Sequence, residues 1–198
     1  MAAVPQLPWR VRAFNRAAGM LGRLTPLARE LVADELRDRA ATPTGLSDFG
    51  ASSYREGLDG LLGALNGEAR LSPLGRLIAR EEIHTALTNR LQLQAYHHQY
   101  PEIGEAPIES PIIIMGMGRS GTTILHELLA LDADNRTPAS WEVEMPFPPP
   151  ETATYESDPR IAAIQSRLDR TDHIVPDFKK IHRMGAELPQ ECVRWTTG

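Results

Sequence analysis

One cysteine, Cys192, is all the thiol chemistry in the 198 residues, so no intramolecular disulfide forms and nothing points to a secreted disulfide scaffold. Long apolar runs are absent too. The stretch Ile112 to Met115 is far below the roughly 20 residues that a spanning helix needs. There is no excess of positive charge: 21 Lys and Arg against 26 Asp and Glu leave a formal net charge of −5, which argues against general nucleic-acid binding. No apolar h-region stands near the start, so a secretory signal is not expected and a cytoplasmic location is. No internal repeat is found. What remains is an ordinary globular composition, 41% hydrophobic and 24% charged, long enough for one domain or one and a fraction.

The first hundred residues read as helical. In residues 1–30, Arg10, Arg12, Arg16, Arg23 and Arg29 face one acid, Glu30, and are interleaved with Leu7, Trp9, Val11, Phe14, Ala17, Ala18 and Leu21. This is an amphipathic basic helix. The favoured reading is a packing helix with a solvated basic face; the other is contact with an anionic membrane or a lipid-like acceptor. A second helix is predicted from Pro26 to about Ala40, broken by Thr42-Pro43-Thr44-Gly45. A third carries Leu58, Leu61, Leu62 and Leu65, with Asp48 or Ser52 as its cap. Ser72-Pro73 has the form of an N-cap followed by proline at the first helical position, opening a helix that ends before Pro101.

Glu81, Glu82, His84 and the pair His97-His98 invite a metal reading, but adjacent residues point to different sides of a helix and no His-x-x-x-His completes a site. No metal is therefore assigned. A proline-marked linker, residues 105–111, gives the best boundary: a helical region over 1–107 and a second region over 108–198.

The second region opens with Ile112-Ile113-Ile114-Met115-Gly116-Met117-Gly118-Arg119-Ser120-Gly121-Thr122-Thr123. Three β-branched residues predict a buried parallel strand, the glycines a tight turn, and Ile124, Leu125, Leu128 and Leu129 a helix. Such a loop aims backbone N–H groups and the positive helix end at one spot, which suits a phosphate. Gly116 and Gly121 have the spacing of the nucleotide P-loop, and Thr123 stands at its Ser/Thr. Thr122, however, replaces the lysine that reaches the β- and γ-phosphates. Arg119 moves the positive charge into the loop, which fits one phosphate better than a triphosphate with magnesium.

At Gly118-Arg119-Ser120-Gly121-Thr122-Thr123, continuing Ile124-Leu125-His126, the chain resembles the sulfotransferase superfamily, in the bacterial branch related to tyrosylprotein sulfotransferases. The resemblance implies that Gly118, Arg119, Ser120, Gly121, Thr122 and Thr123 hold the 5′-phosphosulfate of 3′-phosphoadenosine 5′-phosphosulfate (PAPS), with no metal. It also implies a carboxylate base shortly after the loop helix. Glu142 is the nearest equivalent, at a slightly longer spacing, and Glu144 is the second candidate; alternatively, both merely flank a short strand edge. A second stretch, His182-Arg183-Met184-Gly185-Ala186-Glu187-Leu188-Pro189-Gln190-Glu191-Cys192, resembles a pattern in bacterial sulfotransferase-like proteins. There His182 is a candidate acid/base group, or a satisfied core histidine. Glu187 and Glu191 are expected on one helix face, and Cys192 as a small buried hydrophobe rather than a nucleophile.

The expected fold is therefore α/β: a P-loop-type parallel sheet with flanking helices, preceded by a helical N-terminal region. Relatives bind the 3′-phosphate of PAPS with a later Arg…Ser element. None follows here, so the front half of the domain is expected, with an unpaired sheet edge open to self-association. The expected activity is PAPS-dependent transfer of a sulfuryl group to a hydroxyl or amine of a small-molecule, lipid or carbohydrate acceptor. The alternatives are a P-loop small-molecule kinase and a non-catalytic fragment.

Overall fold

The computed structural model describes residues 7–21, 29–117, 120–175 and 182–191. Its helices are α1 (Trp9–Met20), α2 (Ala33–Thr44), α3 (Tyr54–Gly67), α4 (Pro73–Gln99), α5 (Thr122–Leu129), α6 (Ser140–Glu144) and α7 (Pro159–Ile174), with 3-10 turns at Pro101–Glu105 and Thr152–Ser157. The chain divides into two units, one reaching to Tyr96 and the other starting at His97.

In the first unit the apolar spacing of the sequence becomes a core. Leu31, Leu36 and Ala40 meet Leu58 and Leu62 of α3 and Ile83, Leu87 and Leu91 of α4, all buried. The α4 residues lie four apart, so they form one line along that helix. Ser72 caps α4 as its sequence implies, accepting from Gly75 N–H at 3.1 Å. Helix α2 begins later than predicted because Leu31 is held by Asn66: the Leu31 N–H donates to Asn66 Oδ1 at 3.0 Å, and Asn66 Nδ2 donates to the Leu31 carbonyl at 2.9 Å. Pro26 and Leu27 lie outside the described residues.

Helix α2 also runs through the predicted break. Pro43 lacks the N–H that would bond the Arg39 carbonyl, and His84 Nε2 lies 3.3 Å from that oxygen instead. Gly45, in the left-handed region at φ 66°, closes the helix, with its N–H donating to Ala41 O at 2.9 Å. Arg90 of α4 secures the next connection: its guanidinium donates to Phe49 O at 2.6 Å and Ala51 O at 3.2 Å, and sits 4.4 Å from the Tyr54 ring centroid.

The second unit corrects the expected fold class. Among the described residues there is no parallel sheet and no strand; the β pairing is one isolated antiparallel bridge between Ala139 and Pro189. The Ile112-Ile113-Ile114 stretch is neither strand nor buried: Ile112 is 64% and Ile113 76% exposed. β-branching fits a residue to a strand, but a strand exists only where another segment supplies its hydrogen-bond ladder. No described segment does so here. Helix α5 likewise buries no residue, and Ile124 and Leu128 stay exposed.

The core of this unit lies further on. Ala139, Trp141, Ile164 and Ala186 are buried, with Tyr155, Ile161 and Leu168 packed against them, where α6 meets α7. Asp158-Pro159 starts α7 as its spacing predicts, with the Asp158 carboxylate accepting from Arg160 N–H at 2.9 Å.

Candidate functional site

Gly118 and Arg119 of the phosphate-loop candidates lie outside the described residues, as does Cys192. Around them the turn is tight. A Cβ on Gly116 would stand 2.8 Å from both Ser120 Oγ and Thr122 Cγ2, so only glycine admits this approach. The Ser120 N–H donates to Met117 O at 3.1 Å, closing the turn. Gly121 follows at φ 97°, ψ 10°, a conformation that side-chain-bearing residues avoid, and is the N-cap of α5. Having no side chain, it supplies no side-chain cap to the first amides of α5. Ser120 and Gly121 are exposed, Thr122 and Thr123 half-buried. Ser120, Thr122 and Thr123 thus stand in sequence at a helix start that has no side-chain cap, the setting in which helix N-termini bind anions.

The second group of candidates lies around α6. Glu142 is the third residue of this short helix, not part of a strand edge, and is 3% exposed. Its Oε2 accepts from the Ala139 N–H at 2.7 Å, the reach-back half of a capping box. The same oxygen accepts from the Tyr155 hydroxyl at 2.8 Å, while Oε1 pairs with the Arg136 guanidinium. Burial first, then the bond to Glu142, pushes the Tyr155 hydroxyl up to about 12. Glu144 points elsewhere and pairs with Arg167 of α7 at 3.1 Å.

Two of the partners of Glu142 face open space. Arg136 and Tyr155 line a cavity of about 720 Å³ together with Pro150, Thr152, Ala153, Glu156 and Ser157. Behind the proline-rich stretch lies Arg160, which is 9% exposed. The Arg160 guanidinium grips Asp158 through two N–H groups at 2.9 and 2.6 Å and donates to the carbonyls of Met145 and Pro148. It also stacks over the Trp141 ring at 4.7 Å. That pairing holds the Asp158 carboxyl below its usual range. The proline-rich stretch after α6 is thus fastened at its carbonyls, which proline retains while lacking the N–H.

The second motif meets this site. Trp141 N–H donates to Ala186 O at 3.0 Å, Ser140 N–H to Leu188 O at 2.9 Å, and Gln190 N–H to Pro138 O at 3.0 Å. The Ala186 N–H in turn donates to Gln165 Oε1 at 3.1 Å. The segment is extended and turn-like, so the expected helix face with Glu187 and Glu191 does not form; both acids are exposed. His182 is half-buried, and its neighbour Arg183 pairs with Glu127 of α5 at 3.1 Å. Sequence reasoning missed Arg136, Tyr155 and Arg160. Only Arg160 had a local signal, two residues after a capping Asp158.

Residues 111–197 match the model of the Sulfotransferase family. Among solved structures, sulfotransferase STF1 from Mycobacterium tuberculosis H37Rv is similar, at 36% identity and a TM-score of 0.71 over 83% of this chain and 46% of that one. Sulfotransferase STF9 from Mycobacterium avium is similar at 34% identity and a TM-score of 0.72, over 83% of this chain and 42% of that one. The chain thus spans less than half the length of either. No curated protein sequence matches it.

Proposed function

The chain belongs to the sulfotransferase family, and from that premise we propose that it moves a sulfuryl group from PAPS to an acceptor hydroxyl or amine. In that reaction the bond between sulfur and the bridging phosphate oxygen breaks. The acceptor oxygen or nitrogen bonds to sulfur, a base takes the acceptor proton, and 3′-phosphoadenosine 5′-phosphate leaves. Gly118, Arg119, Ser120, Gly121, Thr122 and Thr123 hold the 5′-phosphosulfate. The observation that supports this reading is the close approach at Gly116 and the left-handed Gly121, which leads into α5 with no side-chain cap on its first turn, an arrangement that suits an anion. Arg119 and the helix end offset the charge that develops on the bridging oxygen, and no metal enters this scheme.

Glu142 is the proposed base, with His182 as the other candidate. Ala139 and Tyr155 hold Oε2, whereas Oε1 has as its partner Arg136, 66% exposed at the side chain and part of the cavity wall. Oε1, whose partner Arg136 is on the cavity wall, is the oxygen proposed to take the acceptor's proton once Arg136 gives way to it. Thr152, Ser157 and Glu156 surround that space with groups that bind hydroxyls, which suits a hydroxylated acceptor.

The test is consumption of PAPS with a panel of phenol, alkyl alcohol and sugar acceptors, for the wild-type chain and Glu142→Gln. The substitution keeps the shape and removes the base, so transfer should fall about 10²- to 10⁴-fold. Full activity in Glu142→Gln together with loss in His182→Asn would move the base to His182. A wild-type chain that binds PAPS but transfers to no acceptor would contradict the reaction.

A further inference from the structure

Helix α1 is held to its unit by a narrow line of residues. Val11 and Asn15 are half-buried, Ala18 is its one buried residue, and the Asn15 carbonyl oxygen accepts from Leu74 N–H at 3.0 Å. These positions, four and three residues apart, occupy one side. The opposite side carries Trp9, 67% exposed, and Met20, 80% exposed, nearly in line along the axis, with Phe14 and Leu21 exposed to one flank. Arg10 lies on the same flank as Phe14, and Arg12 and Arg16 lie on the other, all three exposed; the Arg10 guanidinium sits 5.6 Å from the Trp9 ring centroid. No acid occurs in the helix. If packing alone explained this amphipathic pattern, the largest apolar side chains would face inward, and here they face out.

We infer that this outer face of α1 docks reversibly on an anionic lipid surface, lying in the plane of the interface. The charge asymmetry selects the partner. The whole chain is acidic at −5, yet this face is purely basic, so attraction to an anionic surface must be local to it. An acidic protein would satisfy the arginines but gives no reason for a tryptophan and a methionine at their centre. A second copy would set arginine against arginine. A lipid interface takes both: tryptophan sits at headgroup level, the apolar stripe enters the acyl boundary and the flanking arginines meet the anionic headgroups. Contact is at the surface only, since no helix among the described residues is long and apolar enough to cross a membrane. A single short helix of this kind binds weakly and reversibly.

The test is co-sedimentation of the whole chain with vesicles of phosphatidylcholine alone and of phosphatidylcholine mixed equally with phosphatidylserine, at low and high salt. Brominated lipid reports the depth of Trp9 through the part of the tryptophan quenching that Trp9→Phe removes, since Trp141 and Trp195 also fluoresce. Binding should occur on the anionic vesicles at low salt, weaken with salt, and quench Trp9. Reversing Arg10, Arg12 and Arg16 to Glu should lower the partition coefficient at least about a hundredfold, from about fivefold for each arginine removed. Trp9→Phe should lose the quenching but keep most of the binding. The salt titration of the unmodified chain needs no variant to fold. Equal binding to both vesicle types, or none at low salt, would overturn the inference. So would binding to polyglutamate as tight as to vesicles without quenching, which would give the face to an acidic protein, or self-association lost in Trp9→Ala, which would give it to a second copy.

Discussion

The two units are held together by different chemistry. The unit ending at Tyr96 rests on leucine and isoleucine side chains from three successive helices, with polar anchors such as Asn66 and Arg90 tying connections to that core. Among the described residues, the unit from His97 has a smaller apolar cluster, and it is organised around buried charge: Glu142 with three donors, Arg160 with two carbonyls and a carboxylate. Its most apolar stretches, Ile112 to Met115 and α5, stay largely exposed. A core made of transferable apolar burial tolerates repacking, whereas buried charge tolerates little, because each partner removed strands another. The second unit's buried charges fix a carboxylate and the stretch after α6.

That contrast can be broken from either side. Leu91→Ala, at a fully buried position of α4, should cost the first unit about 3 to 4 kcal/mol in urea unfolding, the sum of lost transfer energy and an unfilled cavity. Arg160→Met should cost the second unit about 2 to 3 kcal/mol, because the Met145 and Pro148 carbonyls lose their donor. The same variant should loosen the stretch after α6, seen as faster exchange at its non-proline amides, Phe147 and Glu151. Equal tolerance of Arg160→Met and a surface substitution would erase the contrast.

The smallest effect is on pH dependence. The Asp158 carboxyl is held low by Arg160, so its contribution is complete above its ordinary value near 3.8 and is lost as pH falls through the depressed folded value. Asp158→Asn should therefore flatten the acid limb of a stability profile. Tyr155 is raised to about 12, so the neutral hydroxyl contributes fully below about pH 10 and is lost as pH climbs towards 12. Tyr155→Phe should flatten the alkaline limb. Thermal melts across pH for both variants measure each slope.

The first unit was largely legible because its signals are local: a proline-marked cap at Ser72, apolar residues at helical spacing in α3 and α4, a stop at Pro101. Pro43 misled because the remedy for its missing N–H, His84, is 41 positions away, and no local rule reports it. The strand at Ile112 failed for a related reason, since strand residues declare suitability and not the presence of a neighbour. In the site, the sequence offered Glu142 by type and approximate spacing. It offered no sign of Tyr155, 13 residues on, or of the bridge that sets Ala139 beside Pro189. Backbone conformation was readable at Gly116 and Gly121, where it is encoded residue by residue, and unreadable where it depends on which segments meet.

The most direct test of the account is calorimetric binding of 3′-phosphoadenosine 5′-phosphate, beside ATP with magnesium, to the purified chain and to Arg119→Ala. Preferential binding of the former, lost in the variant while its helical circular dichroism is unchanged, is the predicted result. A preference for ATP with magnesium, or binding of 3′-phosphoadenosine 5′-phosphate that Arg119→Ala leaves intact, would contradict the assignment of the loop.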